Sequence, residues 1–370
     1  MSIERIRKLQ ALQRAASIDY VALVPGPNLT YFTGLHMHLS ERPFVVLLPA
    51  DESARTIIIT PFFEIGKATS GPVPLDAAVF SYRDGQPFQE AFDAAATQHG
   101  LGGKCIGVEP TQMRVLEWSL LSAAAPVRQA SALEAIAELR MRKDAAELAA
   151  MRKAVQIAEH AFAQLLEDLR PGMTEKQAAA TLAQHMAAAG ADGQSFEALV
   201  QFGPSASNPH GASGGRALQP GDFALFDFGA LVDGYPCDIT RTICIGTPSD
   251  EMKRIYEVVQ AANAAGRAAV RPGATPEQID RAARDVIEKA GYGQYFTHRT
   301  GHGLGLEIHE PPYLWAGNTM PLEPGMTFTV EPGIYIPGLG GVRIEDDMVV
   351  TENGGESLTS FERSLIRLDA

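Results

Sequence analysis

The 370-residue sequence predicts two domains of mixed α/β (α+β) class, on three observations. The length exceeds the roughly 250–300 residues at which a single core stops growing. Near Ser131 the chain changes from short apolar runs bounded by Gly and Pro to a long stretch of helix formers. The second half then repeats itself about one hundred residues on, as expected of two similar units side by side.

The first domain is expected over residues 1–128. Ile3, Ile6, Leu9 and Leu12 recur at helical spacing and predict an amphipathic helix. Apolar runs at 20–24, 44–48, 56–60 and 105–108 predict buried strands, and 88–98 predicts a helix. Nothing here has the composition of a reaction centre; His36 and His38 read as loop histidines without a third ligand. The second domain is expected over 129–370. Residues 132–169 contain neither Gly nor Pro and predict one long helix that Pro171 stops, and Thr174 with Gln177 opens the next in capping-box fashion.

Leu169-Arg170-Pro171-Gly172-Met173-Thr174-Glu175 is echoed by Val270-Arg271-Pro272-Gly273-Ala274-Thr275-Pro276-Glu277. Likewise Pro220-Gly221 through Phe226-Asp227 is echoed by Pro324-Gly325 through Val330-Glu331. In each of the latter pair a turn leads to an apolar strand that ends in a carboxylate. Two helix–helix–strand–strand units imply an internal pseudo-twofold, and the acid of one copy has a counterpart in the other.

Composition removes several classes of function. The net charge of −13 lacks the basic face that nucleic acid or an anionic membrane surface requires. No apolar run is long enough to span a bilayer, charges interrupt any signal-peptide core at the N-terminus, and three scattered cysteines form neither a disulfide framework nor a thiolate zinc site. A soluble, cytoplasmic protein is the expectation.

The acids carry the chemistry. Asp233-Gly234 is a hairpin signal, and a two-residue turn there places Asp227 opposite Thr240, with Asp238 in diagonal reach on the same face. The second copy offers Glu331 and, across a Gly-rich bend, Glu345. Superposing the copies gathers four carboxylates, a repulsive set that about two divalent cations would neutralise. His302, between two glycines, supplies an imidazole, and His210 and His309 stand in nearby Gly/Pro-rich loops. The glycines around His302 do not make a dinucleotide fingerprint, because no helix start follows. Four carboxylates to one imidazole favour manganese, with cobalt, zinc or iron as alternatives.

The set Asp227, Asp238, His302, Glu331 and Glu345, with His210 and His309, resembles the dinuclear metallopeptidases of the pita-bread fold, and within them the Xaa-Pro aminopeptidases and Xaa-Pro dipeptidases (prolidases). Gly26-Pro27-Asn28-Leu29-Thr30-Tyr31-Phe32-Thr33-Gly34 and Glu41-Arg42-Pro43-Phe44 resemble the creatinase-like domain that opens this branch. The resemblance implies a pita-bread catalytic domain in which Asp227 chelates one ion, Asp238 and Glu345 bridge both, and His302 and Glu331 complete the second site. It implies a hydroxide between the ions as nucleophile, Glu331 as general base, and His210 and His309 as partners of the scissile carbonyl and the proline side. Arg343 would hold either the site's acids or the substrate carboxylate, and Tyr335 is expected to pack on the proline ring. Short proline-containing peptides are the implied substrates and a homodimer the implied assembly. Rival readings are a non-peptide hydrolase or lyase on the same scaffold and, further off, a binding module without catalysis.

Overall fold

The helix formers of 132–169 do not run unbroken, and the break is where the chain divides. Helix Leu133–Met141 ends, and a second helix, Ala145–Asp168, starts at Asp144. The Asp144 carboxylate accepts from the Ala146 and Glu147 amides, while Glu147 accepts from the Asp144 amide. This reciprocal cap satisfies orphan donors that an uninterrupted helix would not expose, and it outweighs propensity. The computed structural model describes residues 3–369 and falls into two compact units that part between Arg140 and Met141. The parting lies later than 128/129 because Arg128–Ser131 is itself a strand of the first unit.

In the first unit six strands pair in the order Ala77–Tyr82, Thr56–Pro61, Val45–Pro49, Tyr20–Leu23, Cys105–Val108, Arg128–Ser131. The four central strands are apolar and buried along their whole length, as in sheets covered on both faces. The outer strand Arg128–Ser131 is polar and largely exposed, so it carries no apolar signal.

The second unit realises the repeat. Helices Ala145–Asp168 and Glu175–Ala188 form one pair, Asp250–Ala269 and Pro276–Lys289 the other. The second helix of each pair opens with a threonine capping box, Thr174 with Gln177 and Thr275 with Gln278. Each pair accompanies an antiparallel sheet core, Leu199–Phe202, Phe223–Phe228 and Ile239–Ile245 in one copy, Gly301–Gly303, Thr327–Val330 and Asp346–Thr351 in the other. Phe162, Phe202, Phe226 and Phe228 fill the core beneath the first sheet.

The hairpin register is the expected one: Thr240 pairs with Asp227, and Val232 with Tyr235. Asp233 and Gly234 both take positive φ (51° and 81°), the turn whose twist matches the flanking strands. Gly229 lies where the strands cross too closely for a side chain, since a Cβ there would fall 1.8 Å from the Cys237 carbonyl oxygen.

Candidate metal centre

Each of the four acids sits at a strand end or in a strand that the core fixes. Asp227 lies in Phe223–Phe228, Asp238 immediately before Ile239–Ile245, Glu331 immediately after Thr327–Val330, and Glu345 immediately before Asp346–Thr351. All four line one cavity of about 630 Å³, together with His210, His302, His309 and Arg343. Ligand atoms of Asp238, His302 and Glu345 lie within 4.8 Å of one another, and His302 Nε2 is 3.3 Å from Glu331 Oε1 and 3.6 Å from Asp238 Oδ2.

The electrostatics of the cluster are one-sided. Burial pushes the proton affinity of Asp238 well up, and Glu345 and Asp227 push it further. Glu345 is raised likewise by burial, then by Glu331 and Asp227. Burial raises Glu331 to about 7 and also raises Asp227, in both cases against the pull of Arg343. Asp227 Oδ1 and Asp238 Oδ1 are buried with no hydrogen-bond partner among the described residues. Burial drives His302 well below its ordinary value, so the ring is neutral. Its Nδ1 donates to the Gly303 carbonyl at 3.1 Å, which leaves the Nε2 lone pair facing the acids. Unpartnered carboxylate oxygens, mutual repulsion and a correctly oriented neutral imidazole together fit divalent cations.

Arg343 is the counterweight to these acids within the chain. Its Nη2 donates to Asp227, its Nε to Thr240 Oγ1 at 2.9 Å, and its Nη1 to the Tyr335 hydroxyl at 2.9 Å. Tyr335 departs from the expected ring contact with substrate. It is buried and does not line the cavity; its hydroxyl accepts from Arg343 and donates to His298 Nε2 at 2.9 Å. His298 Nδ1 donates to the Arg299 carbonyl at 2.7 Å, and burial first and Arg343 next hold the ring neutral, its value lowered to about 3. His210 and His309 stand exposed on the cavity wall, His309 edge-on to His302 at 4.2 Å between ring centroids.

Sequence reasoning missed His298, Arg299 and Trp315, which also line the cavity. His298 lies only four residues before His302, just ahead of the strand Gly301–Gly303, and that nearness in sequence could have found it.

An acid cluster with one neutral imidazole, carried by paired sheets, has the chemistry of a divalent-metal centre. Residues 149–352 match the model of metallopeptidase family M24 and residues 5–142 that of the creatinase/prolidase N-terminal domain, and the chain belongs to family M24. It is therefore a metallopeptidase that uses divalent ions, with the creatinase-type domain followed by the pita-bread catalytic domain. It is 36% identical to the Xaa-Pro dipeptidase of Lactobacillus helveticus, over 97% of each chain. Among solved structures, dipeptidase PepE of Mycobacterium ulcerans superposes with a TM-score of 0.91 at 36% identity, covering 99% of this chain and 98% of that one. The Xaa-Pro dipeptidase of Bacillus anthracis gives 0.90 at 35% identity, covering 99% of each.

Proposed function

We propose that the protein hydrolyses the Xaa-Pro bond at the N-terminus of short peptides or in dipeptides, and that Asp227, Asp238, His302, Glu331 and Glu345 hold two divalent ions. The observation that carries this reading is the set of four carboxylates, two buried and two partly buried, with raised proton affinity and two unpartnered oxygens around a neutral imidazole. The names of its relatives as Xaa-Pro dipeptidases supply the substrate class. When bound, the ions supply Lewis-acid chemistry, acidifying water and polarising the scissile carbonyl. Manganese is favoured among them by the carboxylate-rich donor set.

The residues divide the remaining work. Glu331, beside His302 on the cavity wall, takes the proton of the attacking water as its oxygen bonds to the carbonyl carbon. The proline nitrogen of an Xaa-Pro bond carries no hydrogen, so it leaves only with a proton delivered to it. Glu331 returns that proton as the C–N bond breaks, and proline departs as a secondary amine. His210 and His309, on the cavity wall, bond the scissile carbonyl and the proline side. Arg343 fixes Asp227, and Tyr335 fixes Arg343 and His298. A cytoplasmic homodimer belongs to the same reading, and three free, buried cysteines accord with a reducing compartment.

The test is metal analysis with hydrolysis of Ala-Pro and Ala-Pro-Ala after loading with manganese or cobalt. About two ions per chain and cleavage of either peptide is the expected result. The same metal content with neither cleaved points to a lyase or non-peptide hydrolase, and no bound metal points to a binding module.

A further inference from the structure

One buried carboxylate that the proposed chemistry leaves unused holds both stalks of the loop that carries His210. The loop leaves the strand Leu199–Phe202, brings His210 to the cavity wall, and returns beside the start of the helix Glu175–Ala188, where the Lys176 amide donates to the Gly214 carbonyl. Glu175, the first residue of that helix, is 2% exposed. Its Oε1 accepts from the Phe202 amide at 2.9 Å and from the Ser205 hydroxyl, and its Oε2 accepts from the Gly214 amide at 2.7 Å. Nearer the tip, Gly211 rests on the buried Gln201 side chain, since a Cβ there would fall 2.1 Å from Gln201 Nε2. Between these supports His210 itself is exposed, its amide donating to Asn208 Oδ1 at 3.2 Å.

No Lys, Arg or His pairs with Glu175 among the described residues. Two amides, a hydroxyl and the positive end of its own helix meet its charge instead. A carboxylate buried without a cation is costly unless its hydrogen bonds are complete, so separating Phe202 from Gly214 carries the cost of uncovering that charge. Only a carboxylate suits the place. Both of its oxygens accept, whereas the isosteric amide of glutamine turns an NH2 group on one stalk or the other. The second copy of the repeat treats its own imidazole by the same plan. Asp280, in the helix Pro276–Lys289, accepts from the Thr300 amide at 3.2 Å and from its hydroxyl at 2.7 Å, two residues before His302. Asp280 also has Arg284 as a partner; Glu175 is spent on the loop.

We propose that Glu175 is a positioning residue for the cleavage: by tying both stalks of the loop with one carboxylate, it holds His210 in place on the wall of the metal centre. The proposal rests on the peptidase reading above, in which His210 bonds the substrate, and deepens it by naming the group that sets this imidazole. Glu175 touches neither substrate nor cations and acts through His210 alone.

The experiment is a double-mutant cycle on metal-loaded protein: wild type, Glu175→Gln, His210→Ala and the two combined, assayed on Ala-Pro with kcat and KM separated, and with metal content and melting as controls. Glu175→Gln is expected to lower kcat roughly tenfold to a hundredfold, the effect of a displaced substrate-bonding group, with KM and metal content near those of wild type. In the His210→Ala background the same substitution should cost less than about twofold, because the imidazole it positions is gone. Equal losses in both backgrounds overturn the proposal, as does an unchanged kcat in Glu175→Gln. Where Glu175→Gln does not fold, Ser205→Ala removes one of the three donors and leaves the two amides; it should lower kcat by a smaller factor, again only when His210 is present. Hydrogen exchange of residues 203–214 reads the clamp without catalysis, and should speed up roughly tenfold in Glu175→Gln and not in His210→Ala. If wild type cleaves no Xaa-Pro peptide, the peptidase reading fails and this exchange decides the clamp by itself: faster exchange confined to the loop supports it, and unchanged exchange overturns it.

Discussion

Two groups of buried charges lie back to back in the catalytic unit, and adjacent residues belong to different ones. Glu345 belongs to the group facing the cavity, in which the guanidinium of Arg343 is the one ion-paired with the four carboxylates among the described residues. Asp346 belongs to the group behind it, in which three guanidiniums, those of Arg241, Arg267 and Arg363, serve one carboxylate. Successive side chains of an extended segment point to opposite faces, which is how neighbours come to be divided in this way. Burial is nearly the same for both, with Glu345 2% and Asp346 0% exposed, yet their proton affinities move in opposite directions. For Asp346 burial acts upward, but Arg241 and Arg363 outweigh it and hold the carboxyl below its usual value. Burial therefore does not decide what a carboxylate is for; the balance of partners does. The rear group is complete within the chain, Asn263 included, whereas the front group has the unpartnered oxygens that the proposed cations would occupy.

The comparison is broken most sharply by removing one acid from each group. Asp238→Asn should lower kcat/KM by about 10³-fold or more, since it removes a cation ligand from the reacting centre. The melting temperature of the same variant, freed of metal, should stay level or rise as repulsion is relieved. Asp346→Asn should do the reverse, costing about 3–5 kcal/mol of stability because buried guanidiniums lose their partner. Urea titration and metal analysis of the folded fraction read both variants. An Asp238→Asn protein that keeps full activity, or an Asp346→Asn protein as stable as wild type, would erase the distinction between the groups.

The pH dependence of the metal-free protein should follow the front group. Glu331 is raised to about 7 in the folded state, while an unfolded glutamate titrates at about 4.3. Between those values the folded chain keeps a proton that the unfolded chain has released. Stability of chelated protein should therefore fall as pH rises from about 4.5 to about 7, by ~1 kcal/mol per unit. Asp227, Asp238 and Glu345 are shifted the same way. Asp346 is shifted oppositely; its contribution is present above the unfolded value of about 3.9 and lost only as pH falls below it. Loading with metal should reverse the slope, because protons then compete with the ions for the same oxygens. Denaturation at three pH values with and without chelator checks this, and chelated protein that gains stability with pH contradicts it.

The front group was legible in the sequence and the rear group was not. Asp227 and Asp238 could be brought together because a two-residue Asp-Gly turn fixes register, and the register holds in the structure. Glu331 and Glu345 followed from the repeat. Asp346 looks no different from Glu345 in sequence, since the arginine that claims it, Arg241, lies over a hundred residues earlier. In the same way the sequence sets Tyr335 against substrate, four residues past Glu331, because nothing in its neighbourhood names His298 and Arg343 as partners of its hydroxyl. The edge strand Arg128–Ser131 was invisible for another reason: its polar, exposed residues have no periodicity to read. Local chemistry such as turns, caps and apolar runs can be read along a chain, and pairings across it cannot.

Thr240 offers the finest test, because it touches both groups. Its hydroxyl is fully buried, donates to Glu345 Oε2 and accepts from Arg343 Nε at 2.9 Å. Its carbonyl accepts from Arg241 Nη1 at 2.9 Å and from the Glu345 amide at 3.1 Å. Valine has nearly the same shape, so Thr240→Val removes the hydroxyl and leaves the carbonyl contacts to the rear group in place. The front group then loses a donor to one carboxylate and an acceptor for its guanidinium. Metal affinity should weaken about tenfold, the cost of losing a group that orients a ligand, with about 1 kcal/mol of stability lost. Competition against a fluorescent chelator measures the first and urea titration the second. Thr240→Ser should restore both, because it returns the hydroxyl. Unchanged affinity in Thr240→Val would mean that Glu345 is aimed by its backbone alone, through the carbonyl that Arg241 Nη1 grips at 2.6 Å, and the rear group would then be the part of the molecule that positions the front.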